Sequence, residues 1–217
     1  MPAHHAPRRR AFRPSQLFRA AAVLLILAGS AAQAALLTLS YSGSSAGSLD
    51  GTAFALSDFT ITAIADTDDV VTTTLPTATL YAVAHQSARI SIAGLGVFDF
   101  LGATRSFFRD NISQPDLVGF ARGAPDNTDL FTLGGLTTLS GWDLSSDLAP
   151  TTSYGALQQW GFAPAVVTTG GILVFPSVLL NSTSVSAQVT SVPLPATLPL
   201  MGLGLGLCLA VPRRRQR

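Results

Sequence analysis

Lysine and glutamate are absent from this chain of 217 residues, and cysteine occurs once, as Cys208. One cysteine excludes a disulfide framework within the chain. Histidine is nearly as scarce: beyond His4 and His5 there is only His85. Zinc sites built from clustered Cys and His are therefore excluded within one chain, and the side chain most used for acid–base catalysis is almost missing. No window sustains a helical hydrophobic period over several turns, although Ala156–Trp160 has the composition for a single turn. No repeat of fixed period is present, which argues against a solenoid or propeller.

The charges that remain are segregated. Arg8, Arg9, Arg10, Arg13 and Arg19 precede the first apolar run, and Arg213, Arg214, Arg215 and Arg217 follow the last one. Between Ala35 and Val192 only Arg89, Arg105, Arg109 and Arg122 stand against all twelve acidic residues, every one an aspartate. That acidic middle would repel a phosphate backbone, so nucleic acid is not an expected partner. With the ends set aside, one stretch of ordinary domain length remains, able to bury about two thirds of its unfolded-chain surface without disulfides.

Each end reads as a sorting signal. Residues 1–34 combine an arginine-rich stretch, the apolar segment Ala20–Ala28 and Ala32-Gln33-Ala34, with small residues for cleavage between Ala34 and Ala35. The apolar part is too short to cross about 30 Å of hydrocarbon as a helix. Arg9-Arg10-Ala11-Phe12 resembles a twin-arginine signal but lacks its flanking residues, so the secretory translocon is the expected route. At the other end Leu194–Val211 carries no charge and leads into Arg213-Arg214-Arg215. At about 1.5 Å per residue it is just long enough to span a membrane, with the arginines held on the cytoplasmic side.

Val192-Pro193-Leu194-Pro195-Ala196, the glycine-rich apolar run and the terminal arginines together resemble the C-terminal sorting signal of the PEP-CTERM class, in its VPLPA variant, with Leu194 where the commoner signal has glutamate. The resemblance covers about the last 26 residues, 192–217. It implies processing by an exosortase, a membrane-embedded transpeptidase-like enzyme, at the outer face of the inner membrane. It further implies a precursor anchored in the inner membrane of a Gram-negative bacterium, and a product at the cell surface or in the extracellular matrix, associated with exopolysaccharide.

From Ala35 onward short apolar or alternating runs are separated by Gly, Asp, Ser, Thr, Asn and Pro. Leu36–Tyr41, Phe54–Ile64, Thr79–Ala84, Arg89–Ile92, Val97–Phe100, Ser106–Arg109, Leu117–Ala121, Leu136–Leu139, Ile172–Phe175 and Val185–Val189 read as strands. The expected fold is all-β, a sandwich or jelly-roll-like ectodomain over 35–180, flanked by the signal peptide and the C-terminal transmembrane helix. Residues 181–191 are either a Ser/Thr-rich linker or the last strand.

Candidate chemistry is sparse. His85 falls at a probable strand end, where a half-exposed imidazole needs no function. Asp66 and Asp68 have the alternate spacing of calcium ligands but lack the loop's glycine and distal glutamate. Asp126-Asn127-Thr128-Asp129 forms a second acidic group. Trp142, Tyr154 and Trp160 have the composition of a sugar platform, although aromatics in a β domain are more often core. The expectation is an exported non-enzymatic surface or matrix protein without a cofactor. The alternatives are a carbohydrate- or calcium-binding module, which requires Trp142 or Trp160 exposed beside the aspartate loops, and a secreted hydrolase, which requires two aspartates converging in a cleft.

Overall fold

Two-residue alternation governs the first strand and fixes which side chains it buries. In β1 (Ala35–Leu49), Leu37, Leu39 and Tyr41 are fully buried, while Thr38, Ser40 and Ser42 between them face outward. The same pattern recurs in β2 (Thr52–Asp66), where Phe59, Ile61, Ala63 and Ala65 point in and Thr60 and Thr62 point out. A computed structural model describes residues 35–136 and 139–191 of the chain. The expected signal peptide 1–34, the motif Val192–Ala196, the apolar run to Val211, Cys208 and the arginine cluster Arg213–Arg215 lie outside the described residues.

After β2 comes a 3₁₀ turn (Thr67–Asp69), then β3 (Val71–Leu75), β4 (Ala78–Ile92), β5 (Gly96–Asp99), β6 (Thr104–Asn111), β7 (Asp116–Arg122) and β8 (Asp129–Leu136). The order ends with β9 (Leu148–Leu157), β10 (Val167–Thr168), β11 (Gly171–Val174) and β12 (Val178–Ser191). All pairings are antiparallel. The strands follow the order β1-β12-β9-β8-β7-β6-β4-β2, and β2 pairs back onto β1, so eight strands close into a barrel. Closure comes from β1, which is paired along its length with β2 on one side and with β12 on the other, from Ala35↔Ser191 to Ser42↔Ser184.

This overturns the expected sandwich or jelly roll. Alternation reports which side chains face in, and it is the same for a sandwich and a barrel. The difference lies in which strands meet, and here one sheet curls until its first and last strands join. Among the described residues no helix is long and apolar enough to cross a membrane. The expected helical turn at Ala156–Trp160 is also corrected, since Ala156 and Leu157 end β9. Residues 181–191 belong to β12.

β4 has interrupted partners on each side. Its first half pairs with β3 and β6, and its second half with β2 and β5. The 3₁₀ turn separates β2 from β3, and residues 100–103 separate β5 from β6. An isolated bridge between Phe100 and Thr168 joins the β5 side to β10, supported by hydrogen bonds from the Leu101 amide to the Val167 carbonyl (2.9 Å) and from the Thr169 amide to the Asp99 carbonyl (2.9 Å).

The barrel is filled, as an eight-stranded ring permits. Tyr41 meets Phe131 and Phe120 edge-on at centroid distances of 6.0 and 6.1 Å, and Trp160 meets Phe175 at 4.9 Å. Each such pair contributes about 0.5–1.5 kcal/mol beyond its buried area. The outward positions of adjacent strands are rich in hydroxyls. Thr152, Ser184, Ser42, Thr60 and Ser91 stand in register across β9, β12, β1, β2 and β4. Apolar inside and polar outside is the reverse of a transmembrane barrel's pattern.

Candidate functional site

The inward alternation of β6 and β7 carries polar residues to one mouth of the barrel. In β6 the inward set is Thr104, Ser106 and Phe108, and in β7 it is Val118, Phe120 and Arg122, with Thr104 and Arg122 as direct partners. A cleft of about 250 Å³ lies there, with Phe100, Thr104, Arg122, Leu130, Pro164 and Val166 among its lining residues.

Arg122 is buried, and its guanidinium fastens the loop after β9. Nη2 donates to the carbonyls of Gln159 (3.1 Å) and Phe162 (2.9 Å), and Nη1 to the Asp126 carboxylate (3.1 Å). Nε is buried with no partner among the described residues. Between those two carbonyls lies Trp160, wholly buried, whose indole N–H donates to the Leu130 carbonyl at 2.6 Å. One charged side chain thus holds a segment whose aromatic plugs the barrel.

From Thr104 a hydrogen-bonded line runs into the interior. The His85 Nδ1 lies 2.9 Å from the Thr104 hydroxyl, its Nε2 lies 2.8 Å from Ser106 Oγ, and the Tyr41 hydroxyl lies 2.7 Å from Ser106 Oγ and 3.2 Å from the Gly119 carbonyl. His85 reaches inward because β4 carries a bulge: Ile64 pairs with Ser87 and Ala65 with His85, leaving Gln86 as the extra residue. The imidazole stacks on Phe120 at 5.4 Å. Burial pushes its pKa down to about 3, so it is neutral at pH 7. Burial likewise pushes the Tyr41 hydroxyl far up, with its hydrogen bond to Ser106 opposing the shift.

Every polar group along the line has a partner. Both ring nitrogens of His85 meet a hydroxyl, Thr104 on one side and Ser106 on the other, and the Tyr41 hydroxyl donates toward Ser106 Oγ and the Gly119 carbonyl. Ser106 beside His85 repeats the contact of a nucleophile with its base. Here, however, Ser106 is fully buried and Thr104 occupies the place of an orienting carboxylate. An imidazole that holds a proton only near pH 3 is also a weak base at neutral pH. The arrangement keeps polar groups paired inside an apolar barrel.

The other candidates do not assemble. Asp66 caps the 3₁₀ turn by accepting from the Asp68 amide at 3.0 Å, and Asp68 is exposed. Among the described residues no group of three or more His, Cys, Asp or Glu is placed to hold a metal ion. In the second acidic group Asp126 pairs with Arg122 and accepts from the Thr128 hydroxyl, while burial raises the pKa of Asp129 against the opposing pull of Arg105. Trp160 is fully buried and Trp142 is 7% exposed, which removes the condition set for a tryptophan sugar platform, while Tyr154 is exposed. Ala35, the expected first residue after signal cleavage, lies in β1. Ala32 and Ala34 lie outside the described residues. Thr104, Ser106, Tyr41 and Arg122 were not singled out by the sequence. A polar residue at an inward position of an apolar strand, such as Ser106 before Phe107-Phe108, is the signal that marks them.

Fold and site define a class: a closed eight-stranded antiparallel barrel with a filled interior and a small cleft at one mouth. No family model matches the chain, and no curated protein matches it. A search of solved structures finds the crystal structure of a DUF1329 family protein from Desulfovibrio piger, with a TM-score of 0.14 and 8% identity, covering 86% of this chain and 97% of that one. A likeness at that level carries no argument about fold or function.

Proposed function

We propose that this chain is an exported surface or extracellular-matrix protein without enzymatic activity, delivered by the secretory translocon and processed at its VPLPA motif by an exosortase. One observation carries the reading: every described strand, from β1 to β12, lies between the two processing points expected from the sequence, after Ala34 and at Val192–Ala196. Cleavage at either point leaves every described strand intact. The precursor is held in the inner membrane through its C-terminal segment and the product passes to the surface or matrix, in contact with exopolysaccharide. The outward rows of serine and threonine supply hydroxyls for such contact and for glycosylation.

Intact-mass spectrometry of the protein from cell envelope and medium, with and without the exosortase, tests this. The expected product begins at Ala35 and has lost the residues after the Pro193–Ala196 region in an exosortase-dependent manner. A membrane-bound product still ending at Arg217 in both strains would overturn the sorting reading.

A further inference from the structure

Among the described residues, strand segments that pair on one side only include Thr52–Ser57 of β2, which lies beside a bulge, the first half of β9, which carries Pro150, and β3. β3, β5 and β10 lie off the eight-stranded ring or at the end of the strand path. The outer side of β5 meets the β10 segment through the Phe100–Thr168 bridge and its flanking hydrogen bonds. β3 pairs with β4 alone, and among the described residues no strand pairs with its other side. An open edge is a template for another strand, and proteins that avoid such pairing place charges, proline or bulges along it. β3 carries none of these over Val71-Thr72-Thr73-Thr74-Leu75, its first four residues are exposed, and Val71 is 62% exposed.

We infer that β3 is a self-association edge, and that its partner is β3 of a second copy of this chain, paired antiparallel about a two-fold axis through Thr73. An isologous contact requires a self-complementary surface, and this segment reads the same way in both directions: an apolar residue, three threonines, an apolar residue. Antiparallel pairing sets Thr73 against Thr73, Thr72 against Thr74 and Val71 against Leu75. Cross-strand threonine pairs are favourable. The charges select the direction. Asp68 and Asp69 precede the strand, and in the antiparallel register Asp69 falls opposite Thr77 and Asp68 opposite Ala78. Parallel pairing would gather four aspartates at one end. Five residues bury far less than the roughly 1,200 Å² of a stable interface, so the dimer is weak and reversible.

The test uses the full chain carrying Cys208→Ser, solubilised in mild detergent and followed by sedimentation velocity over a concentration series. A reversible monomer–dimer equilibrium is expected. Thr73→Lys and Thr73→Asp, each placing like charges across the axis, weaken it about tenfold, and an equimolar mixture of the two restores it. In the same background Thr73→Cys forms a disulfide-linked dimer under mild oxidation. Val71→Cys does not, because its copies stand about 14 Å apart, beyond disulfide reach. A monomer at every concentration, charged variants that dimerise like the parent, or Val71→Cys linking as readily as Thr73→Cys would each overturn the assignment.

Discussion

His85 is held neutral by burial rather than by a charged neighbour, and that has a signed consequence for stability. The unfolded chain protonates this imidazole near pH 6.5, whereas the folded barrel takes the proton only near pH 3. Between those values the unfolded state binds more protons, so the stability present above pH 6.5 is lost as pH falls toward 3. The lost part amounts to about 1.4 kcal/mol per pH unit in the middle of that window. His85→Gln is expected to remove this slope, measured as urea-unfolding free energies at pH 7 and pH 4.5. Asp116 and Asp129 act in the opposite sense, because burial raises their pKa and favours their protonated forms in the folded state. Their contribution remains in the variant, so His85→Gln grows more stable relative to the parent as pH falls. A difference between the two proteins that is the same at both pH values would exclude burial of the neutral imidazole as its cause. Of this line of residues only His85 drew notice in the sequence. Tyr41 and Ser106 lie 65 positions apart, and nothing local records that they meet.

At the scale of elements, the segment after β9 depends on a side chain from β7. Arg122→Met keeps much of the aliphatic bulk but loses the donors to Gln159 and Phe162 and leaves both carbonyls to find water. Each charged hydrogen bond is worth about 1.5–3 kcal/mol. The expected result is a lower thermal midpoint, with faster amide exchange over residues 158–164 and a red-shifted Trp160 emission. Unchanged exchange in that segment would show that the Trp160 plug holds it without the arginine. The strands on either side differ in how plainly the sequence announces them. β2 and β7 alternate or run apolar and are expected within two residues of their observed limits, whereas β1 is expected only as far as Tyr41 and β4 as two strands, Thr79–Ala84 and Arg89–Ile92. β9 was missed because Pro150, paired threonines and a glycine disguise it, and its first half is largely unburied. β3 was missed for a related reason: four exposed positions in a row show no alternation. Its place is set by register against β4, which is a tertiary fact.

For the whole molecule, the sequence disclosed class but not closure. Inward Leu37, Leu39 and Tyr41 require an apolar partner surface, and either a second sheet or the rest of a ring would provide one. The decision rests on Ala35–Ser42 finding residues 184–191, almost the full domain length away. That pairing also means that the barrel enters and leaves at the same place. Ala35 and Ser191 are direct partners in adjacent antiparallel strands, where α-carbons stand about 4.5–5.5 Å apart. A two-residue turn of Asn-Gly is enough to join them. A circular permutant so joined, and opened instead at the Asp50-Gly51 turn, is expected to fold to the same barrel with a nearly superimposable amide NMR spectrum away from the two junctions. The order in which this chain is translated is then incidental to its architecture: the eight strands form a necklace, and the point at which it is unclasped is a choice.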